Sequence, residues 1–219
     1  MENKPTLSVQ KAMSELSRSA PTPLLASTAQ LALGGMARAL SKTSPSRSAQ
    51  IVDAIVAQLN KAKTSAQIQQ LLLTLGNTGS IRALAPLQLY AQSKSLPLRS
   101  TAVNSLRFIE SPTAERLLLT ALTQDTQSEV RLEAAQALSF RPMTDVSFQL
   151  QKTALQSDKN PSVRLALLNN LYVARKEASE FRQLVQHLLV HDPSSDVRQA
   201  AERIKAQNPQ LFGSRKEAV

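Results

Sequence analysis

Two histidines come closest, by residue type and spacing, to forming a metal site in this chain. His187 and His191 are four residues apart and Asp192 follows directly, so on a helix both imidazoles lie on one face. That arrangement allows two rings to hold one zinc ion. The intervening residues are all aliphatic, so the glutamate base of the HExxH hydrolase pattern is missing. We therefore predict no metal site and no cofactor.

The residues that nucleophilic catalysis needs are also missing. The chain has no cysteine, and neither histidine stands in a motif with a serine. Gly76 and Gly79 could belong to a phosphate-binding loop, but no strand pattern precedes them and no Gly-Lys-Ser/Thr follows. We predict that they end a helix. The sequence thus predicts no catalytic residues and a chain that is not an enzyme.

Four arginines recur at a nearly constant interval, each directly after an aliphatic residue. Their spacings are 32, 33 and 34 residues. An apolar residue follows seven positions after each of the first three arginines and six positions after the fourth. The arginines are Arg99, Arg131, Arg164 and Arg198. A period in the thirties is typical of stacked helix pairs.

Three aspartates share this period. Asp125, Asp158 and Asp192 each lie six residues before one of the last three arginines, and Ser93 takes that place before Arg99. Arginines in such a series either bind phosphate or form a structural ladder. We predict the ladder, in which turn aspartates and arginines of stacked repeats satisfy turn amides and fasten one repeat to the next.

The hydrophobic pattern predicts helices over nearly the whole chain. Leu24 to Leu40 is rich in Leu and Ala, although Gly34 and Gly35 should each cost roughly 1 kcal/mol unless a neighbouring helix packs closely there. We expect a polar N-terminal segment over 1–23, repeats over 24–208 with 24–48 as an atypical capping repeat, and a frayed tail over 209–219. A short helix over Leu7 to Arg18 is compatible with the first of these segments.

The repeats resemble those of the HEAT family, with the segment from Ser128 to Leu138 as an example. This predicts an all-α fold, a right-handed α-α superhelix (a HEAT/armadillo-like solenoid) of about five helix pairs. A basic solenoid of this kind also raises DNA-alkylation glycosylases as an enzyme alternative. Those enzymes stack damaged bases on aromatic residues. The absence of Trp and the small number of other aromatics in this chain disfavour that alternative.

A second resemblance covers about residues 24 to 176. Its segments are Leu71 to Gly79, Leu96 to Arg99, Glu129 to Leu132 and Phe140 to Pro142. They are similar to the helical domain of vitellogenin and the large lipid-transfer proteins. In that family the helical domain is an arch that wraps a lipid-carrying cavity and supports subunit contacts. The resemblance therefore implies a helical module of a lipid-transport protein, with lipid as a possible partner by family alone.

A row of side chains on the second helices is the candidate binding surface. The position five residues after each arginine faces outward and holds Asn104, Gln136, Asn169 and Arg203. Three neutral amides suit hydrogen bonding to a peptide or protein, whereas a phosphate track needs Lys or Arg repeatedly. Because second helices line the concave face of such solenoids, we predict a non-catalytic scaffold that binds a protein partner there.

The positive charge is concentrated in the N-terminal half. The formal net charge is +10, and residues 1–100 hold eleven Lys/Arg against three Asp/Glu, a net +8. Such a charge attracts nucleic acid, anionic lipid or an acidic protein. A nucleic-acid-binding solenoid is therefore the alternative function.

The sequence contains no run of 18 apolar residues, and residues 1–5 lack the apolar core of a signal peptide. The absence of cysteine is compatible with any compartment. We expect a cytoplasmic location if the chain is a whole protein, and a periplasmic or secreted one if it is a mature form or an excised module.

Overall fold

A computed structural model describes residues 5–212, and these residues form two compact units that divide between Arg141 and Pro142. Nearly every described segment is helical and no strand occurs among these residues. The helices of the first unit are α1 Leu7–Ser19, α2 Pro23–Leu40, α3 Pro45–Leu59, α4 Ser65–Thr78, α5 Leu84–Ala91, α6 Leu96–Ser105, α7 Pro112–Gln124 and α8 Ser128–Leu138. Those of the second unit are α9 Asp145–Ser157, α10 Pro161–Arg175, α11 Ser179–His191, α12 Ser195–Gln207 and α13 Pro209–Phe212.

The first unit consists of four helix pairs. In each pair an odd-numbered helix packs against the even-numbered helix that follows it. The even-numbered second helices also pack on one another, α2 on α4, α4 on α6 and α6 on α8, so they form one continuous layer. The buried large side chains of the first unit are aliphatic, and those of Leu40, Ile55, Leu72, Leu87 and Leu118 are almost inaccessible to solvent. Repetition of leucine at helical spacing is what makes each helix bury one stripe against its neighbours.

Glycine permits very close approach within that layer. A Cβ at Gly34 of α2 would lie 2.4 Å from the carbonyl oxygen of Thr74 in α4, and one at Gly76 would lie 2.6 Å from that of Ser105 in α6. Gly35, by contrast, faces open space. Gly76 is therefore a packing residue inside α4. The prediction that Gly76 and Gly79 together end the helix was wrong for Gly76.

Helix α4 ends at Gly79, which has a left-handed backbone with φ of +62°. The predicted helix end is thus correct for this one of the two glycines, because only glycine adopts that conformation without strain. A 3-10 turn over Ile81–Ala83 leads into α5. Pro86 lies in the first turn of α5 and so marks the start of that helix, where its missing N–H is not needed.

The second unit contains two helix pairs, α9 with α10 and α11 with α12, and the second helices α10 and α12 pack together. Unlike the first unit it buries aromatic rings, with Phe181 inaccessible and Phe148 only 5% exposed. Tyr172 contacts Phe181 at a ring-centroid distance of 6.2 Å.

The all-α architecture of helix pairs is confirmed, and the described residues form six pairs. The difference from about five arises at the N-terminus, where α1 packs against α2 and completes a pair. The sequence had left this segment outside the repeats. It had also predicted a frayed tail over 209–219; Pro209–Phe212 is a short helix, and residues 213–219 lie outside the described part.

Candidate functional site

Arg99 links two consecutive helix pairs of the first unit. Its Nε and Nη2 donate to the two carboxylate oxygens of Asp125 at 2.8 and 3.3 Å. Its Nη1 donates to the backbone carbonyl of Ser93 at 2.8 Å. The Asp125 carboxylate also accepts the backbone N–H of Gln127 at 2.9 Å. One guanidinium therefore joins the turn of its own pair to the turn of the next pair through charge-assisted bonds.

The same arrangement recurs in the second unit with deeper burial. Arg164 donates from Nε and Nη2 to the carboxylate of Asp192 at 2.9 and 2.7 Å, and from Nη1 to the carbonyl of Asp158 at 2.7 Å. The two side chains of this ion pair are only 5% and 2% exposed, compared with 16% and 13% for Arg99 and Asp125. Asp192 also accepts the backbone N–H of Ser194.

These bonds define the register of the ladder. The aspartate that pairs with Arg99 or Arg164 belongs to the following helix pair, whereas the residue six before the arginine contributes its backbone carbonyl. Such carbonyl contacts are made by all four arginines, at Ser93, Asp125, Asp158 and Asp192. Because every residue has a carbonyl, a serine at position 93 serves as well as an aspartate.

A second arginine series was not predicted. Arg107, Arg141 and Arg175 follow one another at intervals of 34 residues. Arg141 donates to the carbonyls of Ile109 and Ser111 at 2.7 and 3.2 Å, in the loop that precedes α7. Arg175, the last residue of α10, donates to the carbonyl of Met143 before α9 at 3.3 Å and to the carboxylate of Asp145, the first residue of α9, at 2.6 Å. The constant interval was the signal in the sequence that could have identified this series.

Burial lowers the pKa of Arg107 and Arg141, because desolvation penalises the charged guanidinium. The carboxylate of Glu133 opposes this effect at Arg107, and Arg38 adds to it. Glu115 and Glu110 oppose it at Arg141. An arginine remains protonated at neutral pH, so these groups are partly desolvated cations.

Arg107 also anchors a polar network across three consecutive second helices. Its Nη2 donates to the side-chain oxygen of Asn77 at 2.7 Å, and its Nη1 donates to that of Asn104. The amide nitrogen of Asn104 donates to Glu133 at 2.5 Å. The network thus runs from α4 through α6 to α8, on the exposed side of the second helices, which we call the second-helix face.

This network changes the interpretation of the predicted row. Asn104 is half-buried and both ends of its amide are hydrogen-bonded, so it is not the free, outward amide that the sequence predicted. Gln136, Asn169 and Arg203 are exposed as expected. Gln136 lies one turn after Glu133 on α8, and the other two lie on α10 and α12 of the second unit.

Aromatic rings and cations meet at one end of the second-helix face. The guanidinium carbon of Arg38 lies 3.9 Å from the ring centroid of Phe108, and that of Arg107 lies 4.8 Å from it. The rings of Phe108 and Phe140 make an edge contact at 5.4 Å, and Phe140 is 59% exposed. These four residues, Arg38, Arg107, Phe108 and Phe140, are called the Arg–Phe cluster.

The model of the vitellogenin TPR domain matches residues 2–172 of the chain. This chain belongs to the vitellogenin TPR domain family. The resemblance inferred from the sequence is therefore confirmed. No match was found among curated protein sequences.

Solved structures that are similar to this member of the vitellogenin TPR domain family include the following two. One is the complex of CpcE and CpcF of phycocyanin lyase from Nostoc sp. PCC7120, with a TM-score of 0.54 and 20% identity, covering 91% of this chain and 76% of that chain. The other is the designed armadillo repeat protein YIII(Dq)4CqI, with a TM-score of 0.50 and 15% identity, covering 93% and 99%. At these identities the likeness shows the fold, and the HEAT/armadillo-like repeat class is confirmed.

The histidine pair of this vitellogenin TPR domain lies beside the ladder of the second unit. The rings of His187 and His191 are 4.6 Å apart between centroids. With Arg164 and Asp192 they line a cavity of about 380 Å³. Within residues 5–212, no group of three or more His, Cys, Asp or Glu side chains is placed to hold a metal ion.

Among the described residues, no helix of this family member has the length and apolar character needed to span a bilayer.

Proposed function

We propose that this chain is a non-catalytic scaffold that binds a protein partner through its second-helix face, as one module of a larger assembly. The observation that carries the proposal is the Arg–Phe cluster at the end of the polar network, in which Arg38 and Phe140 are exposed. Arginine and aromatic residues are enriched at the cores of protein interfaces, where they supply much of the binding energy.

The guanidinium of Arg38 is accessible to a partner and free to donate hydrogen bonds to it. The residue is exposed, and none of the described residues accepts a hydrogen bond from its guanidinium. Its planar group stacks on Phe108, which orients its donors for a partner's carboxylate or carbonyl oxygen. Phe140 beside it offers an exposed apolar ring. Together they provide one charged and one apolar anchor within a single patch.

The charges of the second-helix face favour a protein over nucleic acid. Glu129 of α8 accepts from Ser100 and Glu133 accepts from Asn104, so two carboxylates lie along the network. A phosphate backbone is repelled by carboxylates and requires an uninterrupted row of cations. Gln136 is a further proposed contact residue of this unit. Asn169 and Arg203 are proposed contact residues of the second unit.

A pull-down from lysate of the native host tests the proposal. Wild-type protein is compared with the double variant Arg38→Ala/Phe140→Ala, and with the matched control Gln88→Ala/Leu89→Ala on the exposed side of α5. We expect a discrete protein that is retained at high salt by the wild type and by the control but lost by the cluster variant.

Two results would contradict the scaffold proposal. Capture of nucleic acid alone, released at high salt, would support the alternative function of the basic N-terminal half. Equal capture of the protein by the cluster variant would remove the second-helix face as its binding surface. Lipid that co-purifies with the chain would support the lipid-handling role implied by the family.

A further inference from the structure

A cleft lies between the first and second helix pairs of the first unit, away from the Arg–Phe cluster. Its volume is about 570 Å³, which is within the range of roughly 300–1,000 Å³ that is usual for ligand sites. The end of α1, the first half of α2, the end of α3 with the turn that follows it, and the first half of α4 form its walls. The lining includes Ala26, Gln30, Gln58, Lys61, Gln67 and Gln70.

The arginine ladder does not extend to the first two helix pairs, since neither α2 nor α4 has an arginine as its fourth residue. The fourth residue of α6 is Arg99 and that of α10 is Arg164, and each reaches the turn of the next pair. The fourth residue of α2 is Ala26, whose methyl group cannot cross the gap. The turn that follows α3 also runs over 60–64, without an aspartate. A space that an ion pair occupies between later pairs is therefore empty of side chains here.

Glutamine amides surround this space and leave half of their hydrogen-bonding groups unused. Gln30 donates to the oxygen of Gln58 at 2.8 Å, and Gln70 donates to the carbonyl of Ser27 at 3.0 Å. The oxygen of Gln67 accepts backbone N–H groups of its capping box.

Two donor groups and two acceptor groups remain. The NH2 groups of Gln58 and Gln67, and the side-chain oxygens of Gln30 and Gln70, have no hydrogen-bond partner among the described residues. An extended peptide presents one N–H and one C=O group at every residue, which matches a surface of mixed donors and acceptors.

The charge of the cleft selects for an anionic ligand. Lys61 lines it and is exposed, and the residues that line it include no carboxylate. Residues 1–100 carry eleven Lys/Arg against three Asp/Glu. One of those carboxylates, Asp53, already lies 3.6 Å from Arg82. The local field therefore favours negative charge on the ligand.

We propose that this cleft binds an extended, acidic peptide segment of a partner protein. The inference rests on the proposed function as a protein-binding scaffold and adds a second site to it. Gln58, Gln67, Gln30 and Gln70 bind the peptide main chain, and Lys61 binds an acidic side chain. The apolar part of the lining, with Ala62, Ala66 and Leu71, receives an aliphatic side chain.

A phage-displayed library of short random peptides, selected on the purified full chain, tests this proposal. The affinity of a labelled synthetic copy of each enriched peptide is then measured by fluorescence anisotropy. The variant Ala26→Met places a long uncharged side chain in the cleft and leaves its charge unchanged. The control Ala32→Met adds the same side chain at an exposed position of the same helix. Phe140→Ala reports on the Arg–Phe cluster.

We expect enriched peptides to be acidic and to bind Ala26→Met about tenfold or more weakly, as for loss of a dominant contact, while Ala32→Met and Phe140→Ala bind as the wild type does. If Ala26→Met fails to fold, Lys61→Glu serves instead because Lys61 is exposed; it should weaken acidic peptides by a similar factor. Unchanged affinity in the cleft variants, or the absence of acidic peptides, overturns the proposal. Peptides sensitive only to Phe140→Ala would overturn it and leave the proposed function intact.

Discussion

The carboxylate of Asp192 is held by the guanidinium of Arg164 through two bonds of 2.7 and 2.9 Å, although the residues are 28 positions apart in the sequence. Both side chains are almost inaccessible to solvent. A buried charge that loses its partner is strongly destabilising, whereas replacement of both charges by apolar groups is often tolerated. This pair therefore fastens α10 to the turn that ends the next first helix.

Substitution Arg164→Ala should destabilise the protein by about 3–5 kcal/mol, because it leaves Asp192 buried without its cation. The more exposed Arg99→Ala should cost less, about 1–3 kcal/mol. Arg131→Ala should likewise lower the melting temperature, since Arg131 donates to the carbonyls of Asp125 and Thr126. Urea unfolding followed by circular dichroism measures these differences. The double variant Arg164→Met/Asp192→Leu is the control and should recover much of the loss; an Arg164→Ala variant as stable as the wild type would contradict the ladder.

The adjacent glycines of α2 should respond in opposite directions to the same substitution. Gly34→Ala forces a methyl group to within 2.4 Å of the Thr74 carbonyl oxygen, and such overpacking costs about 1–3 kcal/mol. Gly35→Ala meets open space and should stabilise the helix by about 1 kcal/mol. Thermal melting of the two variants measures both effects, and a shift of the same sign for both would show that α2 and α4 are not in contact at Gly34.

Loss of Arg141 should weaken the first unit. Its guanidinium satisfies carbonyls at Ile109 and Ser111 that follow α6, so Arg141→Ala leaves part-buried acceptors without a donor and should cost about 1–3 kcal/mol. Arg116→Ala is the matched control. Arg116 makes an exposed bond to Thr113, and its removal should change stability by no more than about 0.5 kcal/mol. Equal urea midpoints for the two variants would argue against a structural role for Arg141.

Glu180 should titrate below the ordinary range of a glutamate. Hydrogen bonds from Lys152 and Gln149 lower its pKa, because they favour the carboxylate. A depressed pKa in the folded state contributes stability above the unfolded pKa, and this contribution is lost as the pH falls through the folded pKa. Carbon-detected NMR titration of Glu180 measures the pKa directly. Lys152→Met should move it upward, and a pKa that is the same in both proteins would refute the interaction.

Much of the architecture was evident in the sequence because it depends on local patterns. Leucine at helical spacing predicted helices over nearly the whole chain, and the recurring arginines predicted that these helices form stacked pairs. Gly79 was identified as a helix end because a left-handed backbone favours glycine. The family resemblance rested on the same repeated segments.

The tertiary structure decided which residues meet. A one-dimensional period cannot show that Arg99 pairs with Asp125 of the following helix pair; that register follows from how the helices stack. Nor could it show that Asn104 is engaged by Glu133 and Arg107. A helical wheel predicts the direction in which a side chain leaves its helix. It does not predict which side chains of other helices come within hydrogen-bonding distance of it.

The sequence by itself determined the class of fold, the helix positions and the concentration of positive charge, because each depends on residues close together in the chain. Packing of one helix against the next determined everything that requires a distance between repeats. It placed Gly34 against α4 and Gly35 toward open space. It also brought the guanidinium of Arg38 onto the ring of Phe108 and left a cleft beside Ala26, where no arginine reaches the next pair. Those contacts depend on interhelical distances, which side-chain volume and close packing set.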